Sequence, residues 1–141
     1  MTDSKKKLNI AMIGHGFIAR AHSNAFHQVG RFFPVAYDLN LRVICGRNRP
    51  NLEAMASQWG WHEVATDWQE VVNRSDIQVV DIAVLNALHS SIAITAAKAG
   101  RIVLCEKPLS MSLEQAESMA RAASRVPNLV RGDTRCHLRR L

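Results

Sequence analysis

Gly14-His15-Gly16-Phe17-Ile18-Ala19 has the G-x-G-x-x-A spacing of a loop built to receive phosphates. Gly14 suits a tight turn, Gly16 lets the backbone approach a pyrophosphate, and Ala19 is small enough for a following helix to pack closely on a sheet. The helix N-terminus then offers unpaired N–H groups and positive dipole potential to the anion. Glycines recur in loops by chance, so the weight of the motif comes from its position. It follows the apolar run Leu8–Ile13 and opens a helical segment. That context points to a dinucleotide cradle, with Gly14, His15, Gly16, Phe17 and Ile18 as cofactor-binding residues; a plain strand–helix turn is the other reading.

A second stretch with binding chemistry is Cys45-Gly46-Arg47-Asn48-Arg49. In a dinucleotide fold the end of the second strand reads the adenosine ribose, through a carboxylate for NAD or an arginine for the extra phosphate of NADP. No carboxylate stands here, and Arg47 is planar, permanently charged and matched to a phosphate. The cofactor expected is NAD(P), tilted toward NADP; Arg47 and Arg49 as solvated loop residues is the alternative.

The elements that must position these residues alternate along the chain. Leu8–Ile13, Leu41–Cys45, Val79–Val84 and Ile102–Cys105 read as strands. Helices are predicted from Phe17 to Val29 with Gly30 as a stop, from Leu52 to Trp59 before Gly60, and from Ser90 to Ala99 before Gly100. Asp67 and Glu70 have capping-box spacing. Ser112 and Gln115 begin a last helix that puts Leu113, Ala116, Met119, Ala120 and Ala123 on one face. Strands separated by helix-length segments imply βαβ units, hence a Rossmann-type, doubly wound α/β fold with a mainly parallel sheet.

Composition fits that reading. The chain has 141 residues, 48% apolar and 21% charged, with a net charge of +6. This is enough for one domain with a real core, and no apolar run approaches a membrane span of roughly 18 residues. The charge is concentrated at the ends: Lys5, Lys6 and Lys7 against Asp3, and Arg131, Arg135, Arg139 and Arg140 against Asp133. A basic face on the fold is therefore not expected, nor a nucleic-acid partner. Cys45, Cys105 and Cys136 are widely spaced and odd in number, with no metal-ligand pattern, and no signal peptide precedes the glycine loop. A cytoplasmic location follows as an expectation. Asp81, alone in an apolar strand, reads as hydrogen-bonded to backbone. His15, His22, His27 and His62 share no spacing and read as helix-surface or loop residues, and Trp59, Trp61 and Trp68 as packing aromatics.

Two further segments narrow the reading. Val84-Leu85-Asn86-Ala87-Leu88-His89 follows the third of these strands, and Glu106-Lys107-Pro108 follows the next. Together with the glycine loop they closely resemble the cofactor domain of the glucose–fructose oxidoreductase, inositol dehydrogenase and rhizopine-catabolism (Gfo/Idh/MocA) family, over about residues 8–130. The resemblance implies reversible hydride transfer between a carbinol carbon of a sugar or cyclitol and C4 of NAD(P). It implies that Asn86 and His89 contact the nicotinamide ribose region, that Glu106 hydrogen-bonds the ribose or nicotinamide, and that Lys107 is catalytic, facing the reacting oxygen of the substrate. In family members the Glu106–Lys107 peptide helps aim that lysine inward. His89 opening a helix, and Lys107 as a surface residue, are the plainer alternatives.

The sequence departs from the family pattern twice. Leu85 stands where a proline usually precedes the asparagine. After Pro127–Val130 the family would continue as a sixth strand into a second α/β domain, which supplies the general base, often a histidine, and most of the substrate pocket. Residues 131–141 instead read as an irregular, truncated or out-of-frame tail, as 1–7 read as a basic one. On this reading the chain is a dinucleotide-binding domain with little activity alone. The competing class is a non-catalytic dinucleotide- or partner-binding module, with self-association through an exposed sheet edge.

Overall fold

The computed structural model describes residues 5–125. The expected tail 131–141, the segment Pro127–Val130 and Cys136 lie outside the described residues. Five strands, β1 (Lys6–Ile13), β2 (Tyr37–Cys45), β3 (Glu63–Ala65), β4 (Val79–Ile82) and β5 (Ile102–Cys105), form one sheet in the order β3-β2-β1-β4-β5. All four pairings are parallel. The helices are α1 (Phe17–Phe32), α2 (Arg49–Trp59), α3 (Trp68–Asn73), α4 (His89–Lys98) and α5 (Leu113–Ser124). The sheet is covered on both faces, which is why its central strands are apolar on both.

Alternation along β1 divides the core in two. Ile10 and Met12 face α1 and α2, where they meet Ala19, Leu52, Met55 and Trp61. Ala11 and Ile13 face the other way, toward Val72 of α3, Ile92 and Ala96 of α4 and Met119 of α5. The chain reverses direction of winding between β1 and β4, so the loops after these two strands open a crevice at the carboxyl edge of the sheet, where open α/β sheets bind ligands.

Most expected elements form, with differences that have local causes. α1 runs through Gly30 to Phe32 and ends where the Phe33 N–H donates to the Val29 carbonyl at 3.0 Å. Gly30 does not adopt positive φ, whereas Gly60 (φ 74°) and Gly100 (φ 78°) do, and those two stop their helices. β1 reaches back into the lysine run and β2 back to Tyr37, because Lys6 and Lys7 pair with Tyr37 and Asp38. β3, three residues long, is too short to show a period in the sequence. α2 starts three residues earlier than expected: Asn48 Oδ1 accepts from the Asn51 N–H at 3.0 Å, and Pro50 fits the first turn. Asp67 caps α3 and Ser112 caps α5 as anticipated. On α5, Ala116 and Met119 are buried as expected, but Leu113 in the first turn is 72% exposed.

Candidate functional site

The glycine loop is fixed by backbone contacts on both sides. The Gly14 N–H donates to the Cys45 carbonyl at 2.8 Å, and the Ala83 N–H donates to the Ile13 carbonyl at 2.8 Å. Gly14 has φ +121°, and a Cβ there would collide with the carbonyl of Ala83. Only glycine fits that position. Gly16 is different: its φ of −81° is ordinary and a Cβ would meet nothing of the chain within 4 Å. The space above it is open, and as N-cap of α1 it supplies no side-chain cap. The first turn of α1 carries no acidic residue either, so its orphan N–H groups and positive dipole end face that space unopposed. These features fit a pyrophosphate. Ala19 is fully buried against the sheet, while Phe17 is 79% exposed and Ile18 is exposed beside it.

At the end of β2, a Cβ on Gly46 would lie 2.5 Å from Nδ1 of His15. The His15 ring therefore occupies the space a larger residue 46 would need. Arg47 is exposed beside it, and Arg49 lies 4.0 Å from Glu53 within α2. The Cys45 thiol is buried, and burial together with the Asp67 charge pushes it up to about 11, so it is held as an unreactive thiol.

The segment after β4 turns through a single 3-10 turn, Asn86–Leu88, directly into α4. Leu85, in place of the family proline, is exposed at its entry, and its carbonyl accepts from the Leu88 N–H at 2.9 Å. Asn86 is half-buried at the rim of the crevice. His89 opens α4 and is 1% exposed, with Nε2 3.0 Å from the Val84 carbonyl and Nδ1 3.0 Å from the Pro108 carbonyl. Both ring nitrogens face backbone carbonyls, and the one that carries the proton donates to its neighbour. The ring ties the loop after β4 to the loop after β5.

After β5 the Glu106 N–H donates to the Ile82 carbonyl at 3.1 Å, extending the ladder by one residue. Lys107 is exposed, and its N–H donates to Glu106 Oε2 at 3.3 Å. The cis peptide in this turn is Lys107–Pro108.

The structure adds two residues that the sequence reading set aside. His22 Nδ1 lies 2.8 Å from Oδ2 of Asp81, and its Nε2 lies 2.9 Å from Oε1 of Glu106. Asp81 is therefore bonded to a side chain rather than to backbone, and His22 is not a simple helix-surface residue. Asp81 is fully buried, and its Oδ1 has no hydrogen-bond partner among the described residues. The bond to Asp81, reinforced by the charge of Glu106, raises the His22 pKa. Burial pushes Asp81 up against the opposing pull of His22. The pattern was available: Ala19, His22, Ser23 and Phe26 lie on one stripe of α1, and strand parity turns Asp81 to the same face as Val79. Among the described residues no cluster of His, Cys, Asp or Glu is placed to hold a metal.

With this geometry in view, residues 8–133 match the family model described as an oxidoreductase family with an NAD-binding Rossmann fold. The chain belongs to the Gfo/Idh/MocA oxidoreductase family. Levoglucosan dehydrogenase from Pseudarthrobacter phenanthrenivorans is 40% identical over 115 residues, which is 81% of this chain and 30% of that protein. D-apiose dehydrogenase from Paraburkholderia graminis is 29% identical over 131 residues, 92% of this chain and 33% of the relative. Among solved structures, levoglucosan dehydrogenase in complex with NADH superposes with a TM-score of 0.82 at 37% identity, covering 86% of this chain and 33% of that one. The chain spans about a third of the length of the relatives it matches. Its fold is the family's NAD-binding domain.

Proposed function

We propose that the crevice between β1 and β4 binds NAD(P)(H), and that the domain serves a reversible hydride transfer on a carbinol of a sugar or cyclitol. The observation that carries this reading is the contrast between the two glycines: Gly14 is locked by its φ and by Ala83, while Gly16 faces open space at an uncapped helix N-terminus. In this reading residues 14–18 hold the pyrophosphate, Asn86 meets the nicotinamide ribose, and Glu106 hydrogen-bonds the ribose or nicotinamide. When bound, the cofactor supplies the hydride acceptor or donor at C4. Lys107, exposed at the same edge, carries the ammonium that orients the reacting oxygen and stabilises negative charge there. His89 acts from behind, holding the Asn86 and Lys107 loops in register through the carbonyls of Val84 and Pro108.

For the adenosine ribose the supports point two ways. Arg47 and the missing carboxylate favour NADP, whereas the complexes of levoglucosan dehydrogenase are with NADH. We propose that both dinucleotides bind, with Arg47 responsible for the affinity toward the 2′-phosphate. A cytoplasmic location is part of this reading, supported by three widely spaced cysteines with no disulfide pattern. The substrate class is supported by the relatives' names alone, levoglucosan and D-apiose dehydrogenases.

The test is calorimetric titration of the chain with NADH and NADPH, beside Gly16→Val. Binding by the parent and its loss in a variant that stays folded is the expected result. A parent that binds neither dinucleotide overturns the reading. Turnover assays with levoglucosan, D-apiose and myo-inositol separate an oxidoreductase from a non-catalytic module, and size exclusion over a range of concentrations tests self-association.

A further inference from the structure

Four groups from three different elements lie in one line at the carboxyl edge of the sheet. Asp81 Oδ2 on β4 is 2.8 Å from His22 Nδ1 on α1; His22 Nε2 is 2.9 Å from Glu106 Oε1 after β5; Glu106 Oε2 accepts from the Lys107 N–H at 3.3 Å. Asp81 at the inner end has 0% side-chain exposure, whereas His22 at 30% and Glu106 at 25% are both partly open to solvent. The inner end is anchored in the core and the outer end touches the residue proposed to face substrate.

From this geometry we infer that His22 is a positioning residue for the Glu106–Lys107 turn. It clamps the Glu106 carboxylate in the orientation that holds the Lys107 backbone, and it ties that turn to the helix that begins at the glycine loop. The inference deepens the proposed function and rests on it for the roles of Glu106 and Lys107, but the clamp itself is a property of this chain alone. No covalent step is involved.

The physical case is one of freedom removed. A glutamate at the end of a strand has several rotamers of similar energy, and its carboxylate would otherwise turn to water. Contacts on both oxygens select one rotamer, and ordering a reactive group before ligand arrives is what makes such a site efficient. His22 can do this because Asp81 holds its other nitrogen, much as a buried carboxylate orients a histidine in other sites. The charges that act on the ring are those of Asp81 from β4 and Glu106 from the β5 turn. A neutral imidazole donates from one nitrogen only, whereas an imidazolium donates to both carboxylates. The clamp is therefore complete when His22 is protonated and loses one of its two bonds when it is not.

Two isosteric variants separate positioning from mere stability. In His22→Gln the amide nitrogen reaches about where Nε2 stands and can still donate to Glu106. In His22→Asn it stands near Nδ1, bonds Asp81 and leaves Glu106 free. The chain is labelled for NMR, the His22 ring is titrated, and the Lys107 amide resonance is followed over the same pH range. The amide is expected to track the ring's titration in the parent chain and to lose that dependence in Glu106→Gln. His22→Asn should weaken NADH binding about tenfold, the worth of one charge-assisted hydrogen bond, with substantial recovery in His22→Gln.

A Lys107 amide that stays flat while His22 titrates in the parent chain overturns the inference, and this arm needs neither a variant nor a dinucleotide. Equal NADH affinity in the parent, His22→Asn and His22→Gln overturns it too. If the amide tracks His22 but NADH does not bind the parent, the clamp stands and the proposed function fails.

Discussion

The two ends of the sheet handle charge in opposite ways. Toward the amino end, Arg42 and Arg74 face Glu63 and Asp76 in a closed square. Arg42 lies 2.8 Å from Glu63 and 3.1 Å from Asp76, and Arg74 lies 2.6 Å from Glu63 and 2.7 Å from Asp76. Two cations meet two anions, all partly exposed. The register shift between Ile10 and Ala11 skips Arg42, which frees its side chain for this network. At the carboxyl end, two carboxylates share one imidazole, one of them fully buried with an oxygen left unpartnered among the described residues. A balanced, solvated network suits stability. An unbalanced and partly buried one is costly to keep, and such sites cluster where chemistry occurs.

The strongest way to break this contrast is at the carboxyl end. Gly16→Val should abolish dinucleotide binding while the melting temperature stays near that of the parent, because the new side chain enters open space. Retained NADH affinity in that variant would remove the open cradle from the functional account. Asp81→Ala comes next: it leaves His22 without its inner partner and opens a hole beside buried strand residues. Urea unfolding should register a loss of about 2–3 kcal/mol. A loss well below 1 kcal/mol would mean that Asp81 is already relaxed by water and that the two ends differ less than their geometry suggests.

Smaller effects should sharpen the comparison. Arg47→Ala should lower NADPH affinity by about tenfold and leave NADH affinity unchanged, as expected for loss of one arginine–phosphate contact. Equal effects on the two dinucleotides would take Arg47 away from the 2′-position. Arg74→Ala should cost no more than about 1 kcal/mol in denaturant unfolding, since exposed pairs are screened by water and salt. A loss several times larger would make the square a load-carrying part of the fold.

The pH dependence of stability should also divide between the ends. The pKa of His22 is raised above 6.5, so its stabilisation is full below that value and fades as pH rises through the raised one. Asp81 is raised above 3.8 by burial, so its contribution also fades as pH rises, but starting from that lower value. Asp76 is held well below its ordinary 3.8 by Arg74 and Arg42, so its contribution is present above that value and fades in acid. Melting curves across pH should show the alkaline slope reduced in His22→Gln and the acid slope reduced in Asp76→Asn. If neither variant changes the limb assigned to it, these groups do not govern the profile.

Local sequence determined a good deal here. The strand–helix alternation, the caps at Asp67 and Ser112, the stops at Gly60 and Gly100 and the glycine loop are all written in residues close together, because backbone sterics and orphaned helix ends act over a few positions. The Glu106-Lys107-Pro108 and Asn86–His89 segments were legible through their resemblance to the family's motifs. Other features depended on which elements become neighbours. Gly30 looked like a stop, but helical contacts carried α1 through it; β3 exists because β2 offers it an edge. His22, Asp81 and Glu106 are separated by 59 residues at one step and meet because β4 lies between β1 and β5, with α1 packed over them. Periodicity names the face a residue takes, while strand order decides what that face meets. The glycine loop was therefore readable in sequence, and the contacts of His22 with Asp81 and Glu106 were decided by the tertiary fold.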